Sequence, residues 1–180
     1  MSRVVLGVSA SVSVYKACDL ASQLTQAGHS VHAVMTRRAA ELVSPQLFEA
    51  VTGEAVCVDE FGEDRRGAMD HIEIARAAEL FLVAPMTADL SARLAQGVAN
   101  DLVTTVSLAI GRGVPRLACP AMNLTMLEHP AVRRNLAQLV EDGWEVMEPG
   151  EGHLACGEEG AGRLPEPAQI LTRVGELLGQ

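Results

Sequence analysis

Two polar side chains at the edges of apolar or glycine-rich segments are the best candidates for chemistry. Asn123 ends the run Cys119-Pro120-Ala121-Met122-Asn123, and its amide could hydrogen-bond a carboxylate or an amide. From spacing alone, a cap for the following helix is the better-supported role of this asparagine. Cys156 lies in the glycine-rich segment Gly150–Arg163, and a cysteine in a charged, flexible loop has the exposure that a reactive thiol requires.

The other titratable side chains carry weaker signals. His71 follows Asp70 just ahead of a predicted helical turn, where a lone histidine is more often structural than catalytic. The five histidines and four cysteines show no metal-ligand spacing and no CxxC pair, so no metal site is expected. Lys16 is the only lysine and lies early in a predicted helix, which counts against Schiff-base and pyridoxal-phosphate chemistry.

A serine-rich turn, Gly7–Ser13, separates the first apolar run from a helical pattern. In an open α/β sheet, a phosphate binds at this place on backbone N–H groups and the helix N-terminus. Serines replace the glycines of the dinucleotide fingerprint, which favours a monophosphate over a pyrophosphate. A serine-rich helix cap without a ligand explains this turn equally well.

Two further turns follow predicted strands. Met35-Thr36-Arg37-Arg38 carries hydrogen-bond donors where a NAD site would carry an acid for the ribose. This favours a phosphate-bearing ligand, although an ordinary basic helix start fits as well. Ala84-Pro85-Met86-Thr87-Ala88-Asp89 has small residues that would let a flat ring approach the backbone at the carboxyl end of a strand.

Short apolar runs alternate with helical patterns, which predicts βαβ units and a parallel sheet. We therefore expect an α/β fold with a doubly wound, Rossmann- or flavodoxin-like, mostly parallel sheet in a single domain. Strands are predicted at Val4–Val8, Val31–Met35, Leu80–Ala84, Arg116–Cys119 and Glu145–Met147. Helices are predicted at Val14–Ala27, from Thr36 to about Val43, and at Leu47–Val51, Thr87–Gly113 with an interruption near Gly97, Ala131–Asp142 and Pro167–Leu178. Gly62–Gly67 and Gly150–Arg163 are predicted to be loops.

Composition bounds the class of protein. With 180 residues, 48% of them hydrophobic, the chain suits one compact domain over residues 1–180. The net charge of −9 argues against nucleic acid as a partner, because phosphate contacts need a basic surface. No apolar run reaches the ~18 residues of a membrane span, so we expect no membrane partner and a cytoplasmic location.

In their order along the chain, these segments resemble those of the flavin-dependent cysteine decarboxylases. The resemblance covers nearly the whole chain, and its most specific parts are Pro120–Met126 with His129-Pro130, and Leu154–Arg163. The other matching segments are Gly7–Lys16, Val34–Thr36, His71-Ile72, Ala84–Leu90 and Gly97–Thr105. Two departures are Ala88-Asp89-Leu90, where the family often has Ala-Asn-Thr, and Met126-Leu127, where it has Met-Trp.

The resemblance implies FMN as the cofactor and assigns roles by position. The FMN phosphate would be held by Ala10, Ser11, Val12 and Thr36. The ring and the ribityl chain would be lined by Thr87, Ala88, Asp89, Leu90 and Ala121. His71 would be the catalytic base, Asn123 would orient the substrate carboxylate, and Cys156 would donate a proton late in the cycle. Further substrate contacts would come from Met126, Ala155 and Gly157.

Two branches of the family differ in substrate. One decarboxylates a small phosphorylated cysteine amide in coenzyme A biosynthesis, and the other acts on C-terminal cysteines of ribosomal peptides. The peptide branch typically lacks the reducing cysteine, so Cys156 favours the coenzyme A branch. Non-catalytic phosphatase-binding relatives and flavin prenyltransferase-like proteins are the remaining alternatives. The presence of His71, Asn123 and Cys156 counts against a non-catalytic phosphatase-binding protein. The Cys156 loop counts against a flavin prenyltransferase-like protein.

The resemblance also implies an assembly. Family members form homo-oligomers built from trimers, so a trimer or a dodecamer is expected, with His71 close to a subunit interface. The bacterial enzyme is commonly fused to a phosphopantothenate-cysteine ligase. We therefore expect such a ligase either as a separate partner or as a neighbouring domain of a longer protein.

Overall fold

A parallel sheet forms the centre of the structure, a computed structural model that describes residues 1–59, 70–153, 157 and 159–179. Within these ranges the sheet has five strands in the order β2-β1-β3-β4-β5. The strands are β1 (Arg3–Val8), β2 (Ser30–Met35), β3 (Leu80–Met86), β4 (Arg116–Pro120) and β5 (Glu145–Val146). This confirms the predicted doubly wound α/β fold, in the strand order of flavodoxin-like proteins. The predicted loop Gly62–Gly67 lies outside the described residues.

Helices follow the strands and cover both faces of the sheet. Their bounds are α1 (Val14–Gln26), α2 (Arg37–Leu42), α3 (Pro45–Thr52), α4 (Asp70–Ala77), α5 (Ala88–Gln96), α6 (Leu102–Ala109), α7 (Leu124–Glu128), α8 (Pro130–Glu141) and α9 (Pro167–Leu177). Buried residues of α1, α3 and α9 pack on one face, and those of α4, α5, α6 and α8 pack on the other. Successive strand residues serve the two faces alternately: Val4 belongs to the first core and Val5 to the second. A sheet covered on both sides explains why its strands read as continuous apolar runs.

The strand order creates one place, beside the end of β1, where the crossover connections leave on opposite faces of the sheet. From β1 the chain crosses over α1 to reach β2, and from β2 it returns past α4 to β3, on the opposite face. Because β2 and β3 lie on either side of β1, the carboxyl ends of β1 and β3 flank a topological switch point. In open α/β sheets this crevice is where ligands bind.

The predicted loop over Gly150–Arg163 is wrong in part, because it contains strands β6 (Gly150–His153) and β7 (Glu159–Arg163), paired antiparallel. Glycines at Gly152, Gly160 and Gly162 have positive φ, and they replace the alternating apolar side chains by which a strand is recognised. The hairpin is docked on the turn after β4, where the Met122 N–H donates to the Gly162 carbonyl at 3.0 Å.

Two smaller differences concern prolines and a short helix. Helix α3 begins at Pro45, two residues before the predicted start at Leu47, with Ser44 as its cap, because the missing N–H of proline costs nothing at the first helical position. Strand β3 runs on through Pro85 to Met86, beyond its predicted end at Ala84. The short helix α7 was not predicted. No helix in the described part of the chain is long and apolar enough to cross a membrane.

The docking of the hairpin predicts a large penalty for a side chain at Gly162. A Cβ there would lie 2.1 Å from the Met122 carbonyl oxygen, and φ is +135°. We expect Gly162→Ala to lower the free energy of unfolding by about 2 kcal/mol or more, measured by urea denaturation. Gly113→Ala is the control, since a Cβ at Gly113 meets no atom within 4 Å. Equal stability of the two variants would contradict this docking.

Candidate active site

The switch point opens into a cavity of about 590 Å³. This volume lies in the range of pockets that hold small molecules and cofactors. The wall comes from the ends of the first three strands, the α5–α6 connection and one residue of α7. Its residues are Ser9, Ala10, Thr36, Arg37, Arg38, Val58, Asp59, Thr87, Ala88, Asp89, Arg93, Asn100, Asp101, Leu102 and Met126.

Ser9 fastens the ends of β1 and β3 together at the base of this cavity. Its hydroxyl donates to the Pro85 carbonyl at 2.7 Å and accepts from the Thr87 N–H at 3.0 Å. The side chain is 1% exposed, so both of its hydrogen bonds are shielded from water. Ser9 therefore fixes the spacing of the two turns on either side of the switch point.

A residue one to three positions after each of β2, β3 and β4 caps a helix. Thr36, Thr87 and Asn123 accept hydrogen bonds from the backbone N–H of Ala39 (3.2 Å), Leu90 (3.3 Å) and Met126 (2.9 Å) respectively. The interpretation of Asn123 as a helix cap is thus confirmed, and its role toward a substrate stays a prediction. Since Oδ1 faces the helix, recognition of a carboxylate by Asn123 would use the amide N–H groups.

The serine-rich turn leaves backbone donors open. Among the described hydrogen bonds, none is donated by the N–H of Ala10 or Val12. Helix α1 begins beyond Ser13 with no side-chain cap bond and no acidic residue in its first turn. An uncapped helix N-terminus with free N–H groups attracts an anion such as a phosphate.

Two arginines add positive charge at the end of β2. Arg37 forms an ion pair with Asp59, whereas Arg38 is exposed and makes no ion pair with any residue that the structure describes. Arg38 and the open turn together offer a cation and backbone donors to a monophosphate. The chemistry of this donor set and the cavity volume fit a flavin that carries one phosphate.

The opposite wall carries a cluster around Arg93. Its guanidinium donates to Asp89 at 2.8 Å, to Asn100 at 2.8 Å and also to Asp101. Burial lowers the pKa of Arg93, but the contacts with Asp101 and Asp89 outweigh burial and raise it. Arg93, Asn100 and Asp101 were not predicted as wall residues. The matching segment Gly97–Thr105 was a signal for Asn100 and Asp101, whereas Arg93 lies outside it.

The structure places fewer than half of the predicted site residues in the wall of the cavity. Ala10, Thr36, Thr87, Ala88, Asp89 and Met126 line it. Ser11 and Val12 lie in the adjoining turn, and Leu90 and Ala121 are buried. Asn123 and the half-buried His71, in the first turn of α4, are not wall residues in the described chain. Gly157 is exposed, and Ala155 and Cys156 lie outside the described residues.

The other nucleophilic side chains of the described chain are poorly suited to chemistry. Cys119 is wholly buried, and burial together with Glu145 raises the pKa of its thiol. Cys57 is buried as well. Lys16 forms an ion pair with Glu166 at 2.7 Å, so its amine is already engaged by a carboxylate and is poorly placed to attack a carbonyl. Within the described ranges, no three histidine, cysteine or acidic side chains converge to hold a metal ion.

Comparison with curated proteins finds relatives in coenzyme A biosynthesis. The chain is 46% identical over 168 residues to the coenzyme A biosynthesis bifunctional protein CoaBC of Bacillus subtilis, covering 93% of this chain and 41% of that protein. It is 37% identical to a probable phosphopantothenoylcysteine decarboxylase of Streptococcus mutans, covering 98% of both chains. The chain thus spans about two fifths of the length of its bifunctional relatives.

Solved structures with the same fold include decarboxylases. A PPC decarboxylase cysteine-to-serine variant, complexed with pantothenoylaminoethenethiol, superposes with a TM-score of 0.88 at 28% identity over 99% of both chains. The FMN-dependent cysteine decarboxylase SpaF superposes with a TM-score of 0.83 at 32% identity, covering 98% of this chain and 97% of that one. The Flavoprotein family profile matches residues 1–179. This chain belongs to the Flavoprotein family.

Proposed function

We propose that this chain binds FMN at the switch point and decarboxylates 4′-phosphopantothenoylcysteine to 4′-phosphopantetheine in coenzyme A biosynthesis. The observation that carries the proposal is the cavity itself. The cavity lies between the turn at Ala10–Val12, whose open N–H groups suit a phosphate, and the small residues at Thr87-Ala88. The chain is also similar over nearly all its length to phosphopantothenoylcysteine decarboxylases.

FMN is favoured over other flavins by the donors at the phosphate end. The turn offers two open N–H groups and the N-terminus of α1, which suffice for one phosphate. In this proposal Arg38 supplies the balancing charge, and Thr36 keeps the start of α2 in place beside it. The small side chains of Ala88 and Ala10 leave room for the ring system and the ribityl chain.

The turn that carries Asn123 is tied to the cofactor cavity through the sheet. The Ala121 N–H donates to the Met86 carbonyl at 3.0 Å, so the turns after β3 and β4 share one hydrogen-bonded frame. Asn123 can then hold a substrate carboxylate at a fixed distance from the cavity wall. A bound FMN supplies a two-electron acceptor, and oxidation of the cysteine side chain creates the electron sink that loss of carbon dioxide requires.

His71 and Cys156 complete the proposal as proton-transfer groups. His71 would act as the base that takes the substrate's proton. Cys156 lies between β6 and β7, and β7 is bonded to the Asn123 turn through Met122 and Gly162. The thiol would supply a proton late in the cycle while the two electrons taken up by the bound flavin return to the substrate, so that the product is the saturated thiol and not an enethiol.

We further propose that the chain works as a homotrimer or a dodecamer of trimers in the cytoplasm, with His71 near a subunit interface. The bifunctional relatives support a phosphopantothenate-cysteine ligase as partner or neighbouring domain. A second candidate function is peptidyl-cysteine decarboxylation; its support is the similarity to SpaF, which is an FMN-dependent cysteine decarboxylase.

Separate incubation with phosphopantothenoylcysteine and with a peptide ending in cysteine tests the two functions. We expect mass spectrometry to find phosphopantetheine and carbon dioxide from the first substrate only. Loss of carbon dioxide from the peptide alone would overturn the proposed substrate. A purified protein that is colourless and takes up no FMN would overturn the flavin site itself.

Ser9 provides a test of the cavity that does not depend on turnover. Ser9→Ala removes the buried hydroxyl that joins Pro85 and Thr87, so we expect the affinity for FMN to fall about tenfold. Fluorescence titration measures the dissociation constant. Ser22→Ala is the matched control, because the Ser22 hydroxyl accepts a hydrogen bond from the Gln26 side chain on the same helix, away from the cavity wall. Unchanged affinity of Ser9→Ala for FMN would show that the hydrogen bonds of Ser9 to Pro85 and Thr87 do not shape the FMN site.

Asn123→Asp separates the two roles of Asn123. Aspartate still caps α7, but its charge repels a substrate carboxylate, so we expect kcat/KM to fall about 100-fold while FMN stays bound. Steady-state kinetics and the flavin spectrum provide the measurement. Asn135→Asp on α8 is the control for an added charge. Full activity in Asn123→Asp would remove this residue from carboxylate binding.

Cys156→Ser tests the proton donor. A hydroxyl is a far weaker acid than a thiol, so we expect the enethiol to accumulate and phosphopantetheine formation to slow. Time-resolved mass spectrometry of the products distinguishes the two species. Cys18→Ser, in the half-buried middle of α1, is the control. Product formation at the unsubstituted rate by Cys156→Ser would eliminate Cys156 from the mechanism.

A further inference from the structure

Arg93 holds an unusual position in the wall of the cavity, because one guanidinium serves two carboxylates. Its side chain is only 16% exposed, whereas that of Asp89 is 63% exposed and that of Asp101 is 18% exposed. The Arg93 Nε and one terminal nitrogen donate to the same Asp89 oxygen, at 3.1 and 2.8 Å. The other terminal nitrogen donates to Asn100 and Asp101.

These contacts tie together two helix starts that face the cavity. Asp89 lies in the first turn of α5. Asp101 caps α6, where its Oδ1 accepts from the Thr104 N–H at 2.9 Å while its Oδ2 binds Arg93. Arg93 is therefore the one residue of α5 whose side chain joins the start of its own helix to the start of α6.

The charges in this cluster do not cancel. With Arg93 in place, Asp89 and Asp101 leave a net charge of about −1, and without it about −2. A bound flavin phosphate is an anion, and uptake of two electrons and one proton adds a further negative charge to the ring. Without the Arg93 cation, the two carboxylates would therefore oppose both the binding of FMN and the reduction of its ring. The repulsion is stronger than in bulk water because the wall is partly shielded from solvent.

We propose that Arg93 is a positioning residue that holds Asp89 and Asp101 against the helices and offsets their charge, and so sets FMN affinity and the flavin reduction potential. The inference rests on the proposed flavin site. It also accounts for an acidic residue at position 89 in the cavity wall: the carboxylate is tolerated there because Arg93 lies one helical turn away and binds it.

Three variants separate charge from geometry. Arg93→Gln removes the charge, Arg93→Lys keeps it without the forked geometry, and the triple variant Asp89→Asn/Arg93→Gln/Asp101→Asn removes all three charges while asparagine still caps α6. The dissociation constant for FMN is measured by fluorescence titration, and the reduction potential by spectroelectrochemistry. Arg112→Gln, at an exposed position before β4, is the matched control.

We expect Arg93→Gln to bind FMN about tenfold more weakly and to shift the reduction potential to a more negative value. Arg93→Lys should keep the potential. The triple variant, whose cluster carries no charge where the unsubstituted protein carries about −1, should reverse the shift and give a potential no lower than that of the unsubstituted protein. A potential that is unchanged in Arg93→Gln, or one that stays shifted in the triple variant, would overturn the charge role. If Arg93→Gln does not fold, a potential in the triple variant equal to or more positive than that of the unsubstituted protein still supports the proposal, and a more negative one overturns it.

Failure of this inference and failure of the proposed function give different results. Failure of the unsubstituted protein to bind FMN would overturn the flavin site and the Arg93 role together. Normal FMN binding and turnover, with no effect of Arg93→Gln on affinity or potential, would overturn the Arg93 role alone.

Discussion

Parallel pairing of β1 with both β2 and β3 is the constraint on which the rest of the structure depends. Because every strand of the central sheet runs in one direction, the polar residues that follow them collect at a single edge. The helices after these strands start at the same edge, so their N-termini add partial positive charge there. The fold therefore concentrates donors for an anionic ligand before any particular side chain is considered.

Side chains at this edge serve the fold and the site together. Thr36, Thr87 and Asn123 each cap a helix, and Ser9 joins two strand ends. A residue that is already held by the backbone has little rotamer freedom left to lose when a ligand binds. The helix caps thus prepare the geometry in which a cofactor and a substrate carboxylate would be held.

The sequence predicted the parts of the fold that carry a local signal. Buried strands such as β1 are continuous apolar runs, and α1 shows the helical spacing of apolar residues, so both were located within one or two residues. The β6–β7 hairpin was missed because Gly160 and Gly162 replace its alternating side chains with close backbone packing.

Spacing also identified Asn123 as a cap, whereas its substrate role needed the family resemblance. Arg93 escaped notice because its importance comes from contacts between two helices, and a single arginine on a helix surface carries no pattern.

The central claim is that the switch-point cavity holds FMN, with the phosphate at the serine-rich turn. A crystal structure of the FMN-loaded protein tests this most directly. The account predicts electron density for the phosphate against the N–H groups of Ala10 and Val12, and for the ring against Thr87 and Ala88. FMN bound instead in the smaller cavity beside Arg3, His32 and Cys57, or absent from the switch point in fully loaded crystals, would contradict it.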